Sequence, residues 1–80
     1  MTVYELGNKL RKMYETKGAN KTTMIHLFGV IYSSEIREAG IKPKEIVKAA
    51  QMNDSYSTEV NKGMNLAEYV VLKQEYQDTF

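Results

Sequence analysis

An all-α fold, a small bundle of four to five helices, is what this 80-residue chain predicts from three features. Apolar side chains recur at three- and four-residue spacing from Val3 to Ile36, the period of helices with one buried face. Gly18, Gly40, Pro43 and Gly63 punctuate that pattern where helices stop and start. No repeat, low-complexity tract or linker interrupts the chain, so residues 1–80 read as one domain with a tail, 77–80, expected to fray.

The first helix should begin at Thr2, whose hydroxyl can cap the first turn while Glu5 reaches back, a capping box. Val3, Leu6, Leu10, Met13 and Tyr14 form its apolar stripe, and Gly18 is expected to end it. A second helix, from about Thr22 to Ala39, carries Met24, Ile25, Leu27, Phe28, Ile31, Tyr32 and Ile36 over more than half its circumference. It should therefore be the central one. Gly29 inside it marks a close helix crossing, and Gly40 stops it. Pro43 opens a third helix with Ile46, Val47 and Ala50 facing inward. Asn53 is placed to cap a fourth helix over 54–62, with Met52, Tyr56 and Val60 inward and Gly63 closing it. Residues 64–76 stay open: Asn65 and Glu68 suit a capped helix, whereas Tyr69 to Leu72 suit a strand. A helix or an extended tail packed on the core is the expectation.

Composition excludes several classes. The chain has no cysteine, which removes disulfides and thiolate metal sites and makes the cytoplasm the expected location. No segment reaches the roughly 20 apolar residues of a membrane span, and no leader pattern is visible. His26 is the single histidine and has no acid at helical spacing, so no metal site is predicted. The serines at 33–34 and 55–57 lack elbow glycines and a base, so no catalytic residue and no cofactor is predicted either. The net charge is only +1, but residues 1–21 hold five Lys/Arg against two Glu, and residues 54–80 hold two Lys against five acids. A chain so polarised can set a basic surface against phosphate or stack on another copy of itself.

One stretch points beyond the fold. Residues Pro43–Gly63 read as a short helix, a tight polar break and a second short helix, the layout of a helix-turn-helix. With Ile46, Ala50, Met52 and Val60 inward and small residues at 49–50, the stretch resembles the phage-repressor type of helix-turn-helix. It departs from that type at Gln51, where glycine is usual, at Val47, where alanine is usual, and at Ser57, where a buried aliphatic is usual. A looser resemblance runs from residue 25 to 70, to small prokaryotic helix-turn-helix-like domains. It is carried by Ile25–Gly29, Glu35–Ile36, Lys44–Val47, Ala50, Ser55–Tyr56, Thr58–Glu59, Lys62–Gly63, Leu66–Ala67 and Tyr69–Val70.

If the motif reads DNA, Asn53, Ser55, Thr58, Asn61 and Lys62 are the outward candidates on or beside its second helix. Lys44 and Lys48, with Lys9, Arg11 and Lys12 of the first helix, are candidates for phosphate. The resulting expectation is a small transcriptional regulator that binds duplex DNA, acting as a homodimer through the first helix or the C-terminal segment. Six tyrosines favour such an interface. Asp54 and Glu59 on the same short helix, and three lysines against three acids across 43–63, keep a second reading open. In it the same surface holds a protein partner, as an adaptor or inhibitor would.

Overall fold

The computed structural model describes residues 1–80 and is all-helical. Four α-helices follow one another: α1 Val3–Tyr14, α2 Lys21–Ala39, α3 Pro43–Ala49 and α4 Tyr56–Leu66. A single 3-10 turn, Gln74–Tyr76, lies near the end of the chain. No helix is long and apolar enough to cross a membrane.

The first half forms as its local chemistry dictates. The Glu5 N–H donates to the Thr2 hydroxyl at 3.1 Å, and the Thr2 N–H donates to the Glu5 carboxylate at 2.8 Å. That bond, from the Thr2 backbone first and its hydroxyl second, holds the Glu5 carboxyl below its usual value. Asn20 caps α2 by accepting from the Thr23 N–H at 2.9 Å. Gly40 ends α2 in the left-handed region, φ 67°, with the Gly40 and Ile41 N–H groups returning to Arg37 and Ile36 carbonyls. α1 ends at Tyr14, earlier than Gly18, which sits in the connecting turn at φ 78°.

One core collects the inner faces: Leu6, Leu10, Ile25, Phe28, Ile36, Ile46, Val47 and Val60 are fully buried. Each such side chain contributes about 1.5–3 kcal/mol relative to exposure, so these eight outweigh any surface interaction in the molecule. Two crossings are made at backbone distance. A Cβ on Gly7 would meet the Ala49 Cβ at 2.9 Å, where α1 lies on α3. A Cβ on Gly29 would strike the Val60 carbonyl oxygen and lie 2.8 Å from the Gly63 Cα. One on Gly63 would strike the His26 carbonyl oxygen. α2 and α4, the most extensively packed pair, therefore touch main chain to main chain.

Gly63 is thus no helix terminus. α4 starts at Tyr56, two residues later than the sequence predicts, and runs three residues past Gly63 to Leu66. Helical φ/ψ at Gly63 keeps the ladder intact, and the absent Cβ makes the crossing with α2 possible. Asn53 also acts differently from the expected cap: its side chain accepts from the Ser55 N–H at 2.9 Å, closing a turn ahead of the helix. Asn65 lies inside α4 and caps nothing.

Beyond α4 there is neither a further α-helix nor a strand. Residues 67–69 turn, 70–73 run non-helically over α2, and the 3-10 turn follows. In the tail expected to fray, residues 77–79 form an exposed turn and only the final residue packs against the core. Phe80 is half-buried, and its carbonyl accepts from the Tyr32 hydroxyl at 3.3 Å. Burial, with the Glu35 charge adding to it, pushes that hydroxyl above its usual value.

Candidate nucleic-acid interface

The turn between α3 and α4 reproduces in backbone what its sequence departs from. Gln51, standing where glycine is usual, adopts φ 59° and is the only non-glycine residue with positive φ. The Gln51 N–H returns to the Lys48 carbonyl and the Met52 N–H to the Val47 carbonyl, both at 3.0 Å. This is the paired-bond closure that a left-handed residue permits at a helix end. The conformation costs a side-chain-bearing residue about 1–2 kcal/mol. The Arg11 guanidinium offsets part of that cost by donating to the Ala50 and Gln51 carbonyls at 3.4 Å each.

Arg11 is thereby committed. It also pairs with Glu15 at 3.2 Å, so it serves the turn and is not free for phosphate as the sequence suggested. Lys9 and Lys12 line a cleft with Tyr32, Thr79 and Phe80, separate from the surface that α3 and α4 share. Of the three basic residues of α1, only Arg11 reaches the helix-turn-helix, through its turn.

Two further contacts fix α4. At its first residue, the Tyr56 hydroxyl lies 3.2 Å from that of Tyr14, and the rings are 5.6 Å apart. Lys21 stacks over the Tyr14 ring at 4.4 Å and donates to the Tyr14 carbonyl. Ser57, in the place of a buried aliphatic, turns its hydroxyl to the Asp54 carbonyl at 2.8 Å, so no polar group is stranded. Because Val60, Gly63 and Met64 face α2, the outer face of α4 is left to Thr58, Asn61, Lys62 and Asn65, all exposed.

Thr58 and Asn61 meet Lys44 across a polar cleft of about 350 Å³ that Lys42, Pro43 and Ser57 complete. Its lining brings two lysines, Lys42 ahead of α3 and Lys44 in its first turn, beside residues of α4 that carry hydroxyl and amide groups. Those are the donor types that hold a phosphate beside a base edge. Lys48 is exposed on the last turn of α3, and Asn53 and Ser55 are exposed in the turn before α4. None of these three lines the cleft. Lys42 and Asn65 were missed by sequence reasoning. Lys42 precedes the proline that marks the helix, and Asn65 lies beyond the glycine read as its end. The four-residue step from Asn61 was the available signal for Asn65.

The acids that counted against nucleic acid are differently disposed. Glu45 is turned back on its own helix start, accepting from the Lys42 N–H at 3.1 Å. Glu59 is taken toward α2, with His26 Nε2 3.0 Å from one carboxylate oxygen and Lys62 Nζ 3.1 Å from the other. These two hydrogen bonds, His26 first, hold the Glu59 carboxyl below its ordinary value of 4.5. A depressed carboxylate stabilises the fold fully above the unfolded-chain value, and that contribution disappears as pH falls through the lower folded value. The stability gap between the parent and Glu59→Gln should be full near pH 7 and shrink below about pH 4.5, as acid titrations followed by circular dichroism would report. A gap that widens as the pH falls below about 4.5 would contradict the arrangement. Lys62 is shared with Glu59, and Asp54 remains exposed beside Ser55.

Comparison with known proteins agrees with this geometry. No curated protein and no solved structure matches the chain. The HTH-like domain family matches it over residues 2–73. That span contains α1 to α4, the left-handed turn at Gln51 and every residue of the Lys44–Asn61 cleft. The chain belongs to the HTH-like domain family.

Proposed function

We propose that this chain is a small DNA-binding protein, a transcriptional regulator of the prokaryotic, phage-repressor type that reads duplex DNA through α4. The observation that carries this reading is the cleft in which Lys42 and Lys44 face Thr58 and Asn61. In this arrangement Asn61 pairs with a base edge, adenine suiting its two-pronged amide best, and Thr58 and Ser55 hold phosphate or a base edge. Lys42, Lys44 and Lys48 neutralise the backbone, and Asn53 and Lys62 flank the contact. The engagement of Glu59 by His26 and Lys62 supports the same reading. As a two-fold dimer in the cytoplasm, the protein would place two such helices on successive half-sites.

The test is fluorescence anisotropy against a pool of random duplexes over a salt series. Each neutralised phosphate contributes about −0.9 to the log–log slope, so contacts from Lys42, Lys44 and Lys48 give a slope of about −3 or steeper. Absence of binding even near 50 mM salt would leave the same surface to a protein partner, the adaptor reading, and end the DNA proposal.

A further inference from the structure

Where α2 crosses α4, three charged or chargeable side chains fall in one row. The Nε2–H of His26 donates to one oxygen of the Glu59 carboxylate at 3.0 Å, and the other oxygen accepts from Lys62 Nζ at 3.1 Å. The row is held in place by main chain, since a Cβ on Gly63 would strike the His26 carbonyl oxygen. Exposure rises sharply along it: the Glu59 side chain is 21% exposed and that of Lys62 62%. Of the three, Lys62 alone is exposed on the outer face of α4, where it flanks the proposed duplex contact.

Few other charges bear on His26. On its own helix the residues three and four positions away, Thr22, Thr23, Gly29 and Val30, are all uncharged. The segment after α4 brings Lys73 and Tyr76 to a groove that His26 also lines, and α1 and α3 bring nothing to that groove. Glu59 is the one acid among these groups, so a proton on His26 is answered there. The His26 bond, followed by that of Lys62, holds the Glu59 carboxyl below its ordinary value of 4.5. Glu59 is therefore ionised throughout the pH range in which histidines titrate.

We propose that His26 sets, through Glu59, how readily Lys62 leaves the protein for a phosphate, so that duplex binding strengthens as the imidazole takes up a proton. The proposal rests on the DNA reading above and adds a regulation by pH. With the imidazole neutral, Lys62 is the only full positive charge on Glu59, and drawing it to a phosphate leaves a half-buried carboxylate without a counter-charge. With the imidazole charged, Glu59 keeps a cation at 3.0 Å when Lys62 departs, and two cations no longer crowd one carboxylate. The change asks only for the swing of an exposed lysine side chain. By linkage, a bound duplex should in turn raise the proton affinity of His26. A charged imidazole also attracts DNA directly, as any cation does, and the test separates the two effects.

That test is fluorescence anisotropy at fixed salt, near pH 5.5 and near pH 8, with a duplex selected from the random pool. The parent should bind about threefold to tenfold tighter at the lower pH. His26→Gln, which keeps an N–H donor without a charge, should hold the weaker affinity at both. Glu59→Gln should bind at both as the parent does near pH 5.5, and Lys62→Gln should be weak at both. If Glu59→Gln and Lys62→Gln keep the full pH dependence of the parent, the imidazole acts on DNA directly and the relay is overturned. A parent that binds equally at the two pH values overturns the relay and leaves the DNA reading standing. A chain that binds no duplex at either pH ends the regulation together with the DNA reading. Because the chain has one histidine, its ring can also be titrated by NMR without DNA. Lys62→Gln should move the midpoint of that titration to higher pH and Glu59→Gln to lower pH. A midpoint common to all three proteins overturns the coupling.

Discussion

Gly63→Ala should destabilise the protein by about 3 kcal/mol, read as a shift in the midpoint of urea unfolding. Two effects compete. Alanine in a helix interior is favoured over glycine by about 1 kcal/mol, so propensity alone predicts a more stable protein. Against it, the new Cβ would occupy the position of the His26 carbonyl oxygen and lie 3.0 Å from the Gly29 Cα. Both obstacles are main chain, and neither can change rotamer to make room. Relief requires α4 to move off α2, which opens the packing around Val60 and Met64. In a domain of this size the loss is a large share of the total stability. Gly18→Ala is the control: its Cβ meets nothing within 4 Å, and only its left-handed backbone, φ 78°, is strained, at about 1–2 kcal/mol. Should Gly63→Ala prove more stable than the parent, the close crossing does not exist and Gly63 is an ordinary helix residue.

The second large effect concerns recognition. On a duplex selected from the random pool, Asn61→Ala should weaken binding by about 1–3 kcal/mol, the worth of one two-pronged base contact. The same variant should bind the unselected pool as the parent does. Lys44→Ala should behave in the opposite way, weakening binding to all duplexes alike and making the salt slope shallower by about 1. Asn61 is exposed and its side chain makes no hydrogen bond within the protein, so its truncation should leave the melting curve unchanged. Equal losses on selected and unselected DNA would remove Asn61 from base reading. Thr58→Ala, across the same cleft, separates a phosphate role from a base role by the same comparison.

Much of this architecture is legible in the residues, and the illegible parts have identifiable causes. Thr2 with Glu5, Gly40 and Pro43 act through neighbours five or fewer residues away, so their roles follow from local sequence. Gly29 is readable as a crossing because it interrupts a long apolar face. Gly63 is not: a glycine late in a short helix looks the same whether it ends the helix or admits a neighbour, and the deciding atoms belong to residues 26 and 29. Asn53 offers its side chain to either of two N–H groups, and the turn takes the nearer. Arg11 reads as a surface cation until the fold brings the Gln51 carbonyl within reach, 40 positions along the chain. The same holds for His26 and Glu59, which share no helix yet meet at 3.0 Å. Within the candidate site, Lys44, Thr58 and Asn61 were named from sequence. Lys42 joined them only because α4 crosses the start of α3.

The contact between Gly29 and Gly63 has a further consequence for how a duplex would be met. Helices separated by side chains can slide a little as those side chains swap rotamers, which lets a reading helix settle into whatever groove it encounters. Here no side chain lies between α2 and α4 at their crossing point, so the tilt of α4 is inherited from the longest helix in the molecule. Induced fit on the protein side is thereby restricted, and the adjustment falls to the nucleic acid. Sequences whose groove width already suits this fixed tilt, or whose steps deform cheaply to reach it, are then favoured even at base pairs that no side chain touches.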